Sequence, residues 1–569
     1  MIDGPVARSP GRPDLWIAAL PLLLIPCCWL YWWAAGLNPG IEIGRSADVI
    51  LLAGCVAAVW AVRTISLPAA AMPLMLACAW QAMALLWAPV REPGTIWLIE
   101  RAAACATALA LARWAAHGDA GRLIAAAGLA GSGILAMTAL TQYHEVGDVL
   151  RIRREAPFGN VNFAVGAALP LVALGLSRFL SGGGLRWWLW AIVTAGCAGT
   201  LAGGWLGGDP CRAVWLGGLT ALASVLVLKS PRAWHGPLLI AGGGAVVIAW
   251  LVPVFGWADP SSLGAGSAQR VHIWRGTFES LSGAAALIGH GPAAIIATLP
   301  EQSSYAALWL TVPSYAAHAH CEPLQILSDG GLVLAALLGW ALLATLRPLW
   351  HRRDEPAVAA LLAGWCTAGV LSMIESHLSQ PGGLLCLAVL AGLSWAVAGS
   401  QRPMVVTPWI RALPAVCALA LTTMIVRELA ADGGGPVGIE ARSTARLTGR
   451  PAEDLAELDR LRARLGPLDN LDERRARCLG RLGRLAESDA ALAAHLRRNP
   501  GEAGGLILAR RRIAGGSADP SLVAAAAAAR ARAADLLGHI RRNPVNGAAL
   551  DALAAELNRP AGGDPDPAR

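Results

Sequence analysis

Between a polar loop and a long apolar run the chain carries HAHCEPLQILSDGGL, from His318 to Leu332. Histidine titrates near neutral pH, so His320 is a candidate to take a proton from a hydroxyl, with a neighbouring carboxylate to orient its ring. Pro323 suits the first turn of a helix and disfavours helical geometry at Glu322, which predicts a helix starting there and running towards Leu346. On that helix Glu322, Gln325 and Asp329, at i, i+3 and i+7, share one face. His318 and His320 lie just before its positive dipole end, where backbone N–H groups favour an anion. Asp329 is far enough along a regular helix to face away from its start, so Glu322 is the expected contact of His320. An acid at the depth of Asp329 costs on the order of 3 kcal/mol against lipid, which calls for a partner or a wet cavity. A blander reading stands beside each: His320 as an interfacial histidine satisfied by a backbone carbonyl, and Asp329 as the partner of an arginine in the bundle.

Cations accompany this stretch. QRVHIWRGTFES puts Arg270 and Arg275 on either side of an aromatic residue, GGDPCRAVWLG supplies Arg212, and RIRREAPFGNVNFA supplies Arg153 between Arg151 and Arg154. Guanidinium groups bind phosphate bidentately, so their gathering suggests a large anion there, most simply a phosphate or diphosphate. Asn160 and Asn162 fit either sugar hydroxyls or a helix cap. Glu375 and His377 fit either the same cavity or a simple interfacial position. The twelve cysteines show no paired metal spacing and read as small core residues. The expectation is therefore a metal-independent reaction without a cofactor.

The elements that must position these groups are membrane helices. Of 569 residues 55% are hydrophobic and only 15% charged, with mean hydropathy +0.51, a balance foreign to a soluble domain. Apolar runs long enough to cross about 30 Å of hydrocarbon recur about thirteen times. They lie near 15–37, 47–63, 69–89, 96–116, 121–142, 160–180, 186–206, 212–229, 234–254, 323–346, 357–378, 382–400 and 409–426. The fold class is all-α: a polytopic membrane protein of about 12–13 transmembrane helices. Arginines such as Arg63, Arg113, Arg178, Arg347 and Arg402 fall in alternate loops and define a cytoplasmic side. The cations named above lie on the other side, which that rule keeps poor in positive charge. The formal charge of +8 is thus mainly a topology signal. With no basic stripe interleaved with aromatics, nucleic acid is not an expected partner.

Two segments lie outside the runs: a large outer loop, 256–322, and a tail, 427–569, after a membrane domain spanning 1–426. The tail has helical periodicity, and His495-Leu-Arg-Arg-Asn-Pro500 recurs as His539-Ile-Arg-Arg-Asn-Pro544. This predicts a small helical-repeat array resembling tetratricopeptide units, suited to a protein partner or a glycan chain.

FGNVNFA at 158–164, CRAVWLG at 211–217, QRVHIW at 269–274, GHGPAA at 289–294 and the opening stretch resemble, in this order, the motifs of the O-antigen ligase and polymerase family. The last family motif is His-Asn, two residues, Leu, four residues, Glu, one residue, Gly. Here it reads His320, Cys321, Leu324, Asp329 and Gly331, with Cys321 for Asn and Asp329 for Glu. Val161 stands for the usual Pro, and Cys211 for the usual Ser. The resemblance implies transfer of a glycan from a polyprenyl-diphosphate carrier to a lipid or glycan acceptor on the outer face of the bacterial inner membrane. It implies His320 as base and Arg212 and Arg270 as clamp. Arg275, Arg153, Asn160, Asn162, His318, Glu322, Gln325 and Asp329 then serve substrate binding. Ligase and polymerase share this donor chemistry. A transporter of lipid-linked sugars is the reading from another class, and a scaffold acting through its tail is a third.

Overall fold

The computed structural model describes residues 51–56, 58, 67–117, 120–143, 161–182, 184–203, 211–254, 265–299, 302, 318–399, 401–402, 412, 414–423, 450–465, 471–498, 503–516 and 519–540. Among the described residues the regular elements are helices, apart from a two-residue antiparallel pairing of Leu67–Pro68 with Gln401–Arg402. Every predicted run from 69 onward falls on a helix. They are α1 Ala71–Ala84, α2 Arg91–His117, α3 Ala120–Tyr143, α4 Val161–Leu180, α5 Leu185–Gly203, α6 Arg212–Lys229 and α7 Arg232–Val254. After three short helices, α8 Ala265–Ser280, α9 Ala284–Ile288 and α10 Ile295–Thr298, come α11 Glu322–His351, α12 Pro356–Ser372, α13 Pro381–Ala398 and α14 Pro414–Thr423. The run near 47–63 is helical at 51–56, and that at 15–37 lies outside the described residues. Six helices among the described residues are long and apolar enough to cross a membrane, in α2, α3, α4, α6, α11 and α13. The chain is a multi-pass membrane protein.

The chain divides into two compact units, Met1–Ala79 with Ile96–Val247 and Ala336–Gly438, and Trp80–Thr95 with Ile248–Ala335 and Ile439–Arg569. In the first, α4 is the hub, packed by α3, α5, α6, α12 and α13. It is buried without interruption from Ala164 to Gly175, as a helix apolar all round must be. Small residues let its neighbours approach: a Cβ on Gly131 of α3 would come within 2.7 Å of the Ala168 carbonyl oxygen.

The second unit contains the α8–α10 segment, the start of α11 and the tail. The stretch expected to be a loop is in part helical, because the polar sequence of α8 hides its periodicity. The tail forms α15 Pro451–Leu465, α16 Leu471–Arg481, α17 Leu485–Arg498, α18 Ala503–Ala514 and α19 Pro520–Ile540, each packed on its sequence neighbour, with α17 also against α19. The first four residues of the first hexapeptide copy lie on α17, described to Arg498, and the first two of the second copy on α19, described to Ile540. The remainder of the second copy lies outside the described residues. Buried carboxylates pin the array: Asp472 pairs with Arg462 at 3.0 Å, and Asp489 with Arg512 at 2.8 Å.

Candidate functional site

The mouth of α11 is built from three pieces of the second unit. The helix begins at Glu322 with Pro323 in its first turn, as the sequence predicts, but it is not continuous. Gly331 has φ 65° and ψ −163°, which breaks it. The remainder, 332–351, spans about 30 Å by itself at 1.5 Å per residue, so Asp329 belongs to a separate short helix ahead of that stretch. This corrects the expectation of one uninterrupted helix. The break is filled by the end of α9 and its connection to α10: a Cβ on Gly331 would lie 2.2 Å from the Leu287 carbonyl oxygen, and one on Gly289 2.5 Å from the Gly330 nitrogen. Only glycine satisfies both the positive φ and that approach.

Backbone groups loosened by the break find partners. The His290 N–H donates to the Ser328 carbonyl at 2.7 Å, and Nε2 of the same residue to the Ser280 carbonyl at 3.0 Å. The Trp80 indole donates to the Gly330 carbonyl at 2.9 Å, and that of Trp87 to the Gly289 carbonyl at 3.2 Å. Sequence reasoning missed both tryptophans. Their i, i+7 spacing was the only signal, and it suggested one helical face, whereas Trp87 stands in the turn after α1.

Ahead of the helix, residues 318–320 are fixed through their backbone. His320 has φ 48°, a left-handed conformation uncommon outside glycine. Its carbonyl accepts from the Trp274 indole at 3.1 Å, the aromatic of α8 that stands between Arg270 and Arg275. The Ala319 N–H donates to Gln325 Oε1 at 2.9 Å, and Gln325 Nε2 donates to Asp329 Oδ1 at 2.8 Å. Gln325 and Asp329 are fully buried, and Glu322 nearly so. Asp329 therefore does not turn away from the helix start, as expected, but reaches the loop through Gln325, one turn nearer to it. The cost of burying its carboxylate is met in part by that amide. The His318 and His320 rings are half-buried and meet edge-on at 6.4 Å between centroids. Arg270 and Arg275 are also half-buried.

The other candidates lie in the first unit. Arg212 is the exposed first residue of α6. Asn162 is inside the first turn of α4 rather than capping it, and its Oδ1 accepts from the Cys211 thiol at 3.2 Å. Arg153 and Asn160 lie outside the described residues. His377 and Glu375 are buried. His377 Nε2 donates to the Gly166 carbonyl at 3.2 Å, so its Nδ1 accepts from the Ser372 hydroxyl at 3.3 Å. Among the described residues no group of three or more His, Cys, Asp and Glu stands close enough to hold a metal ion.

No family model matches the chain. No curated protein matches it either.

Proposed function

We propose that the chain is an O-antigen ligase-like glycosyltransferase, moving a glycan from a polyprenyl-diphosphate carrier to an acceptor hydroxyl on the outer face of the bacterial inner membrane. The observation that carries this reading is the mouth of α11. There three of the stretches that resemble family motifs meet: GHGPAA fills the break in the helix, the motif ending at Gly331 forms it, and QRVHIW supplies the indole on the His320 carbonyl.

In this reaction the acceptor oxygen bonds to the anomeric carbon, the bond from that carbon to the diphosphate oxygen breaks, and the electron pair leaves with the diphosphate. The acceptor proton passes to the His320 ring. Arg270 and Arg275 offer positive charge to the diphosphate from the helix that carries Trp274. The acceptor is a lipid or a growing glycan, and the tail suits a partner protein or the glycan chain.

The test uses purified protein in lipid, with carrier-linked glycan and a membrane-lipid extract from the source cells. Release of the carrier diphosphate and the mass of the product are followed for wild type and His320→Ala. Release that falls about 10² to 10⁴-fold in the variant supports the reading, and the product separates ligation from polymerisation. A transporter of lipid-linked sugars is favoured by the helix broken at Gly331, since transporters bind substrate at discontinuous helices. Movement of the carrier-linked glycan across the bilayer without release would establish that reading instead.

A further inference from the structure

We propose that Gln325 is a positioning residue, fixing His320 by joining the Asp329 carboxylate to the backbone of the 318–320 loop. The inference rests on the transferase reading for its kinetic consequence, but its geometry stands alone. A glutamine amide has a fixed polarity, one acceptor and one donor end. Here the acceptor end takes the Ala319 N–H and the donor end gives to Asp329. With the side chain fully buried, water does not compete for either bond. Asp329 sets which way the amide faces: its oxygen at 2.8 Å accepts only from the NH2 end, leaving the carbonyl end for the loop. The Ala319 bond and the Trp274 bond hold the backbone on either side of the His320 α-carbon. They keep a non-glycine residue at φ 48°, a conformation that persists only where its surroundings enforce it. In this account Asp329 never touches the substrate; it acts on His320 through Gln325. Small displacements of a catalytic group are costly, about 10²-fold for 1 Å.

The experiment exchanges the two ends of the chain of hydrogen bonds. Gln325→Leu removes both bonds. Asp329→Asn keeps an oxygen that accepts from Gln325. The double exchange Gln325→Glu with Asp329→Asn moves the carboxylate to 325: one of its oxygens accepts from Ala319 and the other from the new Asn side chain. Turnover and KM for the donor are measured in lipid, together with the rate at which diethyl pyrocarbonate labels His320, read by mass spectrometry. Gln325→Leu is expected to lose roughly 10 to 100-fold in kcat with KM within about twofold, and the double exchange to recover to within about threefold of wild type. Asp329→Asn falls less than Gln325→Leu. The labelling rate of His320 should change in Gln325→Leu and return in the double exchange, which also keeps the proposal testable where Gln325→Leu fails to fold. Unaltered kcat in Gln325→Leu, or a double exchange as impaired as that variant, overturns the proposal. If wild type releases no diphosphate, the transferase reading fails by itself. The labelling then decides, since equal rates in all the proteins overturn the positioning role and a change that the exchange reverses upholds it.

Discussion

Two histidines in this chain stand just ahead of a proline-led helix, each two residues from a buried glutamate, and they are held by opposite parts. His377, before Pro381, is held by its ring, with Nε2 on the Gly166 carbonyl and Nδ1 against the Ser372 hydroxyl. His320, before Pro323, is held by its backbone, through the Trp274 indole on its own carbonyl and Gln325 on the preceding N–H. A ring whose two nitrogens are both engaged at 4% exposure is a pin between helices. Holding the carbonyl and the preceding N–H instead fixes the backbone from which the His320 ring projects. Under the proposed transferase reading, the ring-held histidine is a packing residue and the backbone-held one is the proton acceptor, although their local sequences look alike.

Paired substitutions put this contrast at risk. His320→Ala should lower turnover about 10² to 10⁴-fold while leaving the unfolding midpoint almost unmoved. His377→Ala should do the reverse. It leaves the Gly166 carbonyl buried without its donor, at a cost of about 1–3 kcal/mol, and turnover per folded molecule stays near that of wild type. Thermal unfolding in detergent beside the release assay reads both, and matching profiles for the two variants would erase the distinction.

Gly331→Ala comes next in size. It forces an L side chain into the left-handed region, about 1–2 kcal/mol, and sets a Cβ against the Leu287 carbonyl oxygen at 2.2 Å, so the end of α9 and its connection to α10 must move away. The expected result is lower stability together with lost turnover, since the same connection holds Ser328, next to Asp329. Gly166→Ala is the counterpart at the other histidine. Its Cβ would meet His377 Nε2 at 3.0 Å, a milder clash that should show in the unfolding midpoint alone. Trp274→Phe is smaller again: it keeps the aromatic volume and loses the bond to the His320 carbonyl, worth about 0.5–1.5 kcal/mol. A drop in turnover of several-fold without a change in donor KM is expected.

The helices were legible because a bilayer demands about twenty apolar residues in a row, and Pro323 marked the start of α11 to within one residue. The break was not. Gly330-Gly331 inside an apolar run reads like any small pair in a membrane helix. What turns it into a break is a carbonyl at Leu287, more than forty residues away, which no local pattern encodes. The shared face of Gln325 and Asp329 was readable from spacing, whereas the bond from Gln325 back to Ala319 depends on a loop that doubles back over the helix start. For Trp80 and Trp87 the obstacle was abundance: among 24 tryptophans, two that serve glycine carbonyls do not stand out.

A third proline-led helix supplies the control for both mouths and the smallest expected effect. At the start of α19, Asp519 accepts from the backbone N–H groups of Ser521 and Leu522 at 2.8 and 3.1 Å, and from the Ser521 hydroxyl. This is an ordinary N-cap, in which a side chain satisfies the orphan donors of the first turn. The Ser521 hydroxyl first, and then the Leu522 N–H, hold the Asp519 carboxyl below its ordinary value. A depressed folded value means that the contribution to stability is present above the unfolded carboxylate range and is lost as pH falls through the folded value. Thermal unfolding of the full chain in steps below about pH 5 should therefore show a slope that Asp519→Ala makes shallower, with slightly lower helicity at neutral pH. Turnover should not respond, because this cap orders its own helix alone, whereas the start of α11 is ordered by Gln325 and Asp329 reaching back to the loop that carries His320. A turnover that followed Asp519 would tie the tail to the proposed transfer site and remove the reason for treating the mouth of α11 as self-contained.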